Sequence, residues 1–181
     1  GPDGEPVYYR VPASWGAAAN DGERWRWLLM QAMETHAGAT GEALVWRAGF
    51  LHSQFGVQTM AQTYAAFARR GGAGDGEGAD ESGTYALHTL ETNESITRLA
   101  SGVKRHTLPA GFVFIDIYRR VASDPLCSDQ AEQALQALAG IYENRRQYPR
   151  AAAVWREAID RFGPGSSGWR RERLDRIVGN W

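Results

Sequence analysis

The chain has 181 residues, of which 43% are hydrophobic and 23% charged, and its formal net charge is −1. This is the composition of an ordinary globular protein, long enough to bury a sizeable core. A charge near zero argues against a nucleic-acid-binding surface, which would show a basic excess. No apolar run reaches the roughly 18 residues that a membrane span requires. The single cysteine excludes an internal disulfide framework.

Residues 1–20 are predicted to form an extended arm. A short apolar and aromatic run at residues 7–11 lies among three prolines: Pro2, Pro6 and Pro12. Proline removes the N–H donors that a helix interior or a central strand needs, so the arm is extended or at most an edge strand. The chain begins without Met and ends on the apolar Trp181. We therefore expect it to be a piece of a longer protein.

Residues 21–70 are predicted to hold N-terminal helical hairpins. Apolar residues recur there at helical spacing, and the pattern gives three helices, at residues 23–36, 42–55 and 57–70. Thr40 precedes the second helix and is expected to cap it through its hydroxyl. Gly56 separates the second helix from the third.

Residues 71–83 are predicted to be a flexible loop. They are rich in Gly and acidic residues and contain no large apolar anchor, a composition that cannot bury a core. A phosphate-binding loop is the functional alternative. The stretch lacks the Lys-Ser/Thr ending and the preceding strand that such a loop requires, so we expect only a connection here.

Residues 84–181 are predicted to form a second helical region. A brief helix is expected over residues 93–101, ending at Gly102. Pro109 lies where the first turn of a helix accepts proline, so a longer helix is expected over residues 110–122. Residues 112–117 are continuously apolar except for Asp116 and would equally suit a buried strand; the helical surroundings favour the helix.

Residues 128–164 show the most specific pattern in the chain. Two amphipathic helices are joined by a short break at residues 147–149, and Ser128 and Asp129, with Glu132, form a predicted capping box. Seven residues share the spacing of a helix–turn–helix signature: Leu135, Leu138, Ala139, Tyr142, Ala151, Trp155 and Ala158. In this order they resemble the 34-residue tetratricopeptide repeat. The resemblance implies two closely packed helices that need helical neighbours to bury their outer faces.

Residues 169–181 are predicted to be a capping helix. Its apolar stripe consists of Leu174, Ile177, Val178 and Trp181. The opposite face is charged, and the pairs Arg171–Asp175 and Glu172–Arg176 are spaced for ion pairs along the helix. The predicted fold class is therefore all-α: stacked helical hairpins in a tetratricopeptide-like α-α superhelix, with an extended N-terminal arm.

No catalytic, cofactor-binding or metal-binding residues are predicted. The four histidines show no metal-ligand spacing, and one cysteine cannot build a zinc cluster. Cys127 lies at a predicted helix start, which would favour a thiolate, but no local partner supports a nucleophile. In the repeat, the positions where a peptide-carboxylate clamp needs Lys and Asn hold Gln136, Ala137 and Gly140. C-terminal peptide capture is therefore not expected.

Several phrases resemble a wider family. They occur at residues 53–61, 83–90, 144–159, 161–165 and 174–181. Together they resemble a helical segment of large bacterial alpha-2-macroglobulin-like proteins, which are related to protease-trapping inhibitors. The resemblance implies an extracytoplasmic location and a spacer or docking role. The Cys-Gln thioester motif of that family is absent, because Ser128 follows Cys127.

The expected function is a non-catalytic interaction or scaffolding domain, not an enzyme, which requires no cofactor. Its partner would be a protein or peptide, or neighbouring domains of the same chain. Neither nucleic acid nor a membrane span is expected. One alternative is a helical regulatory domain of an enzyme whose catalytic part lies outside this sequence. Another is a small-molecule-binding domain that uses Trp25 and Trp27 of the first helix.

Overall fold

A computed structural model describes residues 6–57, 86–99 and 102–179 of the chain. These residues contain six α-helices: α1 (Asp21–Thr35), α2 (Thr40–Phe55), α3 (Phe114–Ser123), α4 (Ser128–Asn144), α5 (Tyr148–Phe162) and α6 (Trp169–Val178). They also contain one antiparallel hairpin, β1 (Glu94–Leu99) with β2 (Gly102–Thr107). The predicted all-helical character is confirmed apart from this hairpin. The predicted third helix after Gly56 and the loop at residues 71–83 lie outside the described residues.

Helix α1 begins at Asp21, two residues before the predicted start at residue 23. The Asn20 side chain accepts a hydrogen bond from the Glu23 N–H at 3.0 Å, and the Glu23 carboxylate accepts one from the Ala19 N–H at 2.8 Å. The bond from Glu23 satisfies one of the N–H groups that a helix start leaves without an internal partner, and the bond from Ala19 secures the residue before the cap. The arm before α1 is extended, with a short 3₁₀ turn at Trp15–Ala17.

The predicted caps of α2 and α4 were wrong. Thr40 is already the first helical residue of α2, with φ −57° and ψ −48°, and makes no capping hydrogen bond. Likewise Cys127, not Ser128 or Asp129, occupies the cap position of α4. In both places a 3₁₀ turn leads straight into the helix, and before α4 the cap has moved upstream, where the Asp124 carboxylate accepts from the Leu126 N–H at 3.0 Å.

The ambiguous apolar run after Pro109 is a helix, as predicted. A 3₁₀ turn at Ala110–Phe112 comes first, so α3 begins four residues later than expected. Its buried residues recur at the spacing of a single helical face: Phe114, Ile115, Tyr118, Val121 and Ala122. That spacing packs α3 between α2 and α4, both of which it contacts.

The brief helix predicted over residues 93–101 was wrong, because the described part of this stretch is strand β1. Ser95 pairs with His106 and Ile96 with Arg105 in the antiparallel register. The buried Ser95 hydroxyl donates to the carbonyl oxygen of Phe55 at the end of α2. Gly102 does not end a helix but begins β2. This stretch is too polar to provide the apolar face that a packed helix needs. A strand instead points successive side chains to opposite faces, so it tolerates many polar residues.

The seven signature residues of the repeat are all buried at or near the contact between α4 and α5. Ala139, Ala151 and Ala158 are fully buried, and their small side chains allow the two helices to approach closely. Leu135 and Leu138 fill the space toward α3 and are also fully buried. All seven residues are thus buried in this helix pair, while their assignment to a tetratricopeptide-like repeat stays a prediction.

The turn between α4 and α5 places Arg146 in the left-handed region, with φ 54°. The Gln147 N–H donates to the Tyr142 carbonyl and the Arg146 N–H to the Glu143 carbonyl, both at 2.9 Å. This pair of bonds is a Schellman motif, which usually has glycine where Arg146 stands. The motif reverses the chain so sharply that only three residues separate α4 from α5.

The core lies where α2, α3, α4 and α5 meet. Each described helix contacts the next one along the chain, and α2 also reaches α4. At the N-terminal end α1 contacts α2 but has no buried residue. At the C-terminal end α6 packs on α5, burying Ile177 and Arg170. The assembly of these contacts into a superhelix stays a prediction.

Candidate functional site

Two side chains in the turn between α4 and α5 bind the β-hairpin and the segment that precedes it. Arg145 donates to the carbonyl oxygens of Glu91 and Glu94, each at 3.0 Å. Gln147 donates to the carbonyl of Leu90 at 2.6 Å and more weakly to that of His88 at 3.2 Å. Local sequence patterns did not indicate this role, because the bonded partners lie more than 50 residues upstream.

Arg145 is buried to 1% exposure although it is an arginine. Its guanidinium lies 5.8 Å from the centre of the Phe114 ring. Burial lowers the pKa of Arg145 to about 10, since removing water disfavours the charged form. His52 stacks on the other side of this region, 5.0 Å from Phe114, and both burial and the Arg145 charge lower the pKa of His52. In this cluster Arg145 binds carbonyl oxygens, and the neutral form of His52 is favoured.

A shallow cleft opens between α4 and the start of α6, with a volume of about 510 Å³. Arg170 forms its floor and is 4% exposed. It pairs with Glu132 of α4 and donates to the Gly163 carbonyl at 2.7 Å. Because the guanidinium already binds a carboxylate and the loop, the cleft offers little charge to a ligand.

The charged face of α6 pairs with the repeat and not with itself. Arg173 donates to the Glu143 carboxylate at 2.8 Å, and the Trp155 indole donates to the other oxygen of Glu143 at 2.7 Å. Among the described residues, the predicted pairs Arg171–Asp175 and Glu172–Arg176 do not form. The ion pairs that α6 does make join Arg170 and Arg173 to carboxylates of α4.

The positions that a peptide-carboxylate clamp would use carry no clamp. Gln136 donates to Glu132 one turn earlier on α4, at 3.2 Å. Gly140 is exposed, and a Cβ built there would meet nothing within 4 Å. These positions therefore offer neither a Lys nor an Asn side chain to a peptide carboxylate.

A smaller and more apolar pocket lies at the other end of the molecule, between the arm, α1 and α2. We call it the arm pocket; its lining comes from Tyr9, Arg10, Val11, Trp25, Arg26, Leu29, Met30, Arg47, Phe50, Leu51, Gly111 and Phe112. Its volume is about 80 Å³. The arm is anchored beside it by Tyr8, whose ring lies 5.0 Å from that of Phe112 and 5.5 Å from that of Phe55.

The two tryptophans that the sequence singled out lie in different places. Trp25 lines the arm pocket and packs on Phe50, with ring centres 4.9 Å apart. Trp27 packs edge-on against Trp15 of the arm at 6.2 Å. The structure therefore brings only Trp25 to the pocket. Arg47, which sequence reasoning missed, lines it from α2.

Exposed apolar side chains concentrate at the same end. Nine large apolar residues of the described chain are exposed, and six lie on the arm, α1 and α2: Val7, Tyr9, Val11, Trp15, Leu28 and Trp46. Trp46 is 62% exposed and Leu28 is 47% exposed. Single exposed apolar residues are normal, whereas large contiguous apolar patches are typical of interaction sites. We call these six residues the end surface.

The single cysteine is poorly placed to act as a nucleophile. Cys127 is fully buried, and burial together with the Asp124 carboxylate raises the pKa of its thiol, so the thiolate is disfavoured. The described residues contain no group of three potential metal ligands. Within the same residues, no helix is both long enough and apolar enough to cross a bilayer.

Comparisons of the chain with protein-family models, curated proteins and solved structures found no match. The resemblances to the tetratricopeptide repeat and to bacterial alpha-2-macroglobulin-like proteins therefore rest on the residues quoted for them. The geometry of the described residues is the other source for a functional assignment.

Proposed function

We propose that this chain is a non-catalytic protein-interaction or scaffolding domain that binds its partner through the end surface. The single observation that carries the proposal is the location of six exposed large apolar side chains on the arm, α1 and α2. Tryptophan and tyrosine are over-represented among the residues that dominate binding energy at protein interfaces. Trp15, Trp46 and Tyr9 are all on this surface.

The packing of α1 supports the same proposal. This helix contacts α2 and buries no residue, although half of its sequence is apolar or aromatic. A helical stack whose terminal element leaves apolar surface uncovered gains free energy when a partner covers it. The neighbouring domains of a longer chain are candidate partners, as is a separate protein.

The resemblances add an architectural proposal. A tetratricopeptide-like pair at residues 128–164, with helices on both sides, supports a superhelical stack of hairpins. The resemblance of residues 53–181 to a helical segment of bacterial alpha-2-macroglobulin-like proteins supports a spacer or docking role in an extracytoplasmic protein.

Affinity capture with matched variants tests the function. Leu28→Glu and Trp46→Glu place charges on the end surface, whereas Leu126→Glu alters a side chain that is 65% exposed elsewhere. We expect a protein retained by the wild-type chain and by Leu126→Glu but lost with the other two, then verified by calorimetry with the purified partner. Equal retention by all four chains would place the interaction elsewhere, and no retained protein would remove the proposal.

A further inference from the structure

We propose that the arm pocket binds a peptide segment of a protein partner in which a branched aliphatic side chain stands next to an Asp or Glu. The proposal rests on the proposed function, because it names the chemistry by which the N-terminal end of the chain recognises its partner. The walls, the size and the charge of the pocket each point to this ligand.

The walls are apolar and aromatic. Trp25, Leu29 and Met30 of α1 line the pocket together with Phe50 of α2, on which Trp25 packs. All four are partly exposed, so an apolar group that enters removes their surface from water as well as its own. An aliphatic side chain that packs against this apolar wall makes dispersion contacts that the empty pocket lacks.

The size fits one side chain. A volume of about 80 Å³ is far below the roughly 300–1,000 Å³ of pockets that enclose drug-sized ligands. It is also smaller than an engineered cavity of about 150 Å³ that holds benzene. A branched aliphatic group is therefore the occupant that fills it. The exposed Tyr9 and Val11 at the rim extend the contact to the neighbouring residues of a peptide.

The charge that lines the pocket is positive. Three arginines line it, Arg10, Arg26 and Arg47, and none of its described lining residues is Asp or Glu. None of the three makes an ion pair with a carboxylate of the described residues. Arg26 instead donates to the Arg10 carbonyl at 3.3 Å and lies over the Tyr9 ring at 5.2 Å.

Several other arginines of the described chain pair with a carboxylate, although Arg145 binds carbonyl oxygens instead. Arg119 pairs with Glu157 at 2.8 Å, and Arg173 pairs with Glu143. The chain has 21 acidic residues against 20 basic ones, so carboxylates are not scarce. Three guanidinium groups around one apolar pocket without a carboxylate therefore mark a place where an external carboxylate fits.

Among the three arginines, Arg47 has the contacts that best suit it to bind an external carboxylate. Its Nη2 donates to the Gly111 carbonyl at 2.9 Å, and its Nη1 contacts the Met30 sulfur at 3.9 Å. Burial lowers the pKa of Arg47, because its charge is partly removed from water with no opposite charge nearby. A carboxylate would satisfy the remaining N–H donors and offset that cost.

Peptide titration with nuclear magnetic resonance tests the proposal. The probe is the blocked pentapeptide Gly-Asp-Leu-Glu-Gly, and its matched control is Gly-Asn-Leu-Gln-Gly, which has the same shape without charge. We expect saturable shifts of the Trp25 indole signal with the acidic peptide. The amide peptide should bind about tenfold more weakly, and added salt should weaken the acidic peptide.

Chain variants test which group reads the carboxylate. Arg47→Gln should weaken the acidic peptide about tenfold and leave the amide peptide unchanged, and Arg47→Lys should fall between. Arg156→Gln is the matched control, since Arg156 is an exposed arginine on α5 away from the pocket. Retention of the other indole signals establishes that each variant is folded.

Three outcomes overturn the proposal: equal binding of the two peptides, no shift of the Trp25 indole at millimolar peptide, or binding of free isocaproate as tight as that of the acidic peptide. The last would make the pocket a small-acid site. The proposed function fails separately. If Trp46→Glu loses a captured partner while the pocket ignores every peptide, the end surface stands and only the pocket is refuted.

Discussion

Helices α4 and α1 differ more in burial than in length. The 17 residues of α4 include seven buried ones, whereas the 15 residues of α1 include none. Helix α4 contacts α3 on one side and α5 on the other, whereas α1 has α2 as its main neighbour. The two helices thus represent two regions, a closely packed repeat and a loosely packed N-terminal end.

This difference separates stability from recognition. Each fully buried aliphatic or aromatic side chain contributes about 1.5–3 kcal/mol relative to exposure. The repeat therefore anchors the fold, and α1 contributes little to it. Segments with little burial belong to the low-stability part of a protein, from which binding elements are drawn. The uncovered apolar surface and the arm pocket both lie there.

The largest expected contrast is between two leucine truncations. Leu138→Ala in the repeat removes a fully buried side chain and should lower the free energy of unfolding by about 2–5 kcal/mol. Leu28→Ala on α1 should lower it by less than about 0.5 kcal/mol, because this side chain is already half exposed. Urea unfolding measures both. Similar losses in the free energy of unfolding for the two variants would contradict the difference in packing between the two regions.

Two glycine substitutions probe backbone restraint in the same regions. Gly165, in the loop before α6, has φ +79°, and an added Cβ would collide with the Trp169 indole. Gly165→Ala should therefore cost about 1–3 kcal/mol in urea unfolding. Gly16 of the arm has ordinary φ and nothing within 4 Å, so Gly16→Ala should be nearly neutral. If Gly165→Ala left the free energy of unfolding unchanged, the backbone after the repeat would be no more restrained than that of the arm.

The pH dependence of stability tests the environment of His52, which lies at the end of α2. The folded pKa of His52 lies below its unfolded value of about 6.5. Its contribution to stability is therefore complete above about pH 6.5 and is lost as pH falls through the lower folded pKa. His52→Gln should flatten the fall in melting temperature between about pH 7 and pH 5. A slope that His52→Gln leaves unchanged would contradict this expectation.

The smallest expected effect is a gain. Gly140 lies in the exposed middle of α4 with nothing near a new Cβ, so Gly140→Ala should raise the free energy of unfolding by about 0.5–1 kcal/mol. In α1 the equivalent change, Gly22→Ala, brings a Cβ to 3.3 Å from the capping oxygen of Asn20. We expect no gain there. A gain in α1 equal to that in α4 would show that helix propensity limits both regions alike.

The helices of the molecule could be predicted because their signal is local. In α4 the spacing of Leu135, Leu138 and Tyr142 already defines a buried face, and tertiary packing uses that face. The hairpin could not be predicted in the same way. Its strands are mostly polar, and the hydrogen bonds of Arg145 and Gln147 that secure its approach come from residues far along the chain.

The candidate site was only partly readable. Trp25 was singled out as a binding residue, and it does line the arm pocket. The role of Arg47 could not be predicted from the sequence. Whether an arginine forms an ion pair depends on distances between helices and strands, and no local sequence pattern gives those distances. The capping predictions at Thr40 and Ser128 failed for a related reason: the preceding 3₁₀ turns are set by the incoming chain.

The turn at Arg145 and Gln147 also constrains the order in which the chain can fold. The contacts within α4 and α5 span few residues, whereas Asn144 reaches back 87 residues to the Val57 carbonyl and Arg145 reaches back 54 to that of Glu91. Closing loops of that length costs more entropy than forming a neighbouring helix pair. During synthesis, the end of α2 and the hairpin emerge first but obtain these bonds only after the repeat has been made. The upstream half of the protein is thus completed by its downstream half.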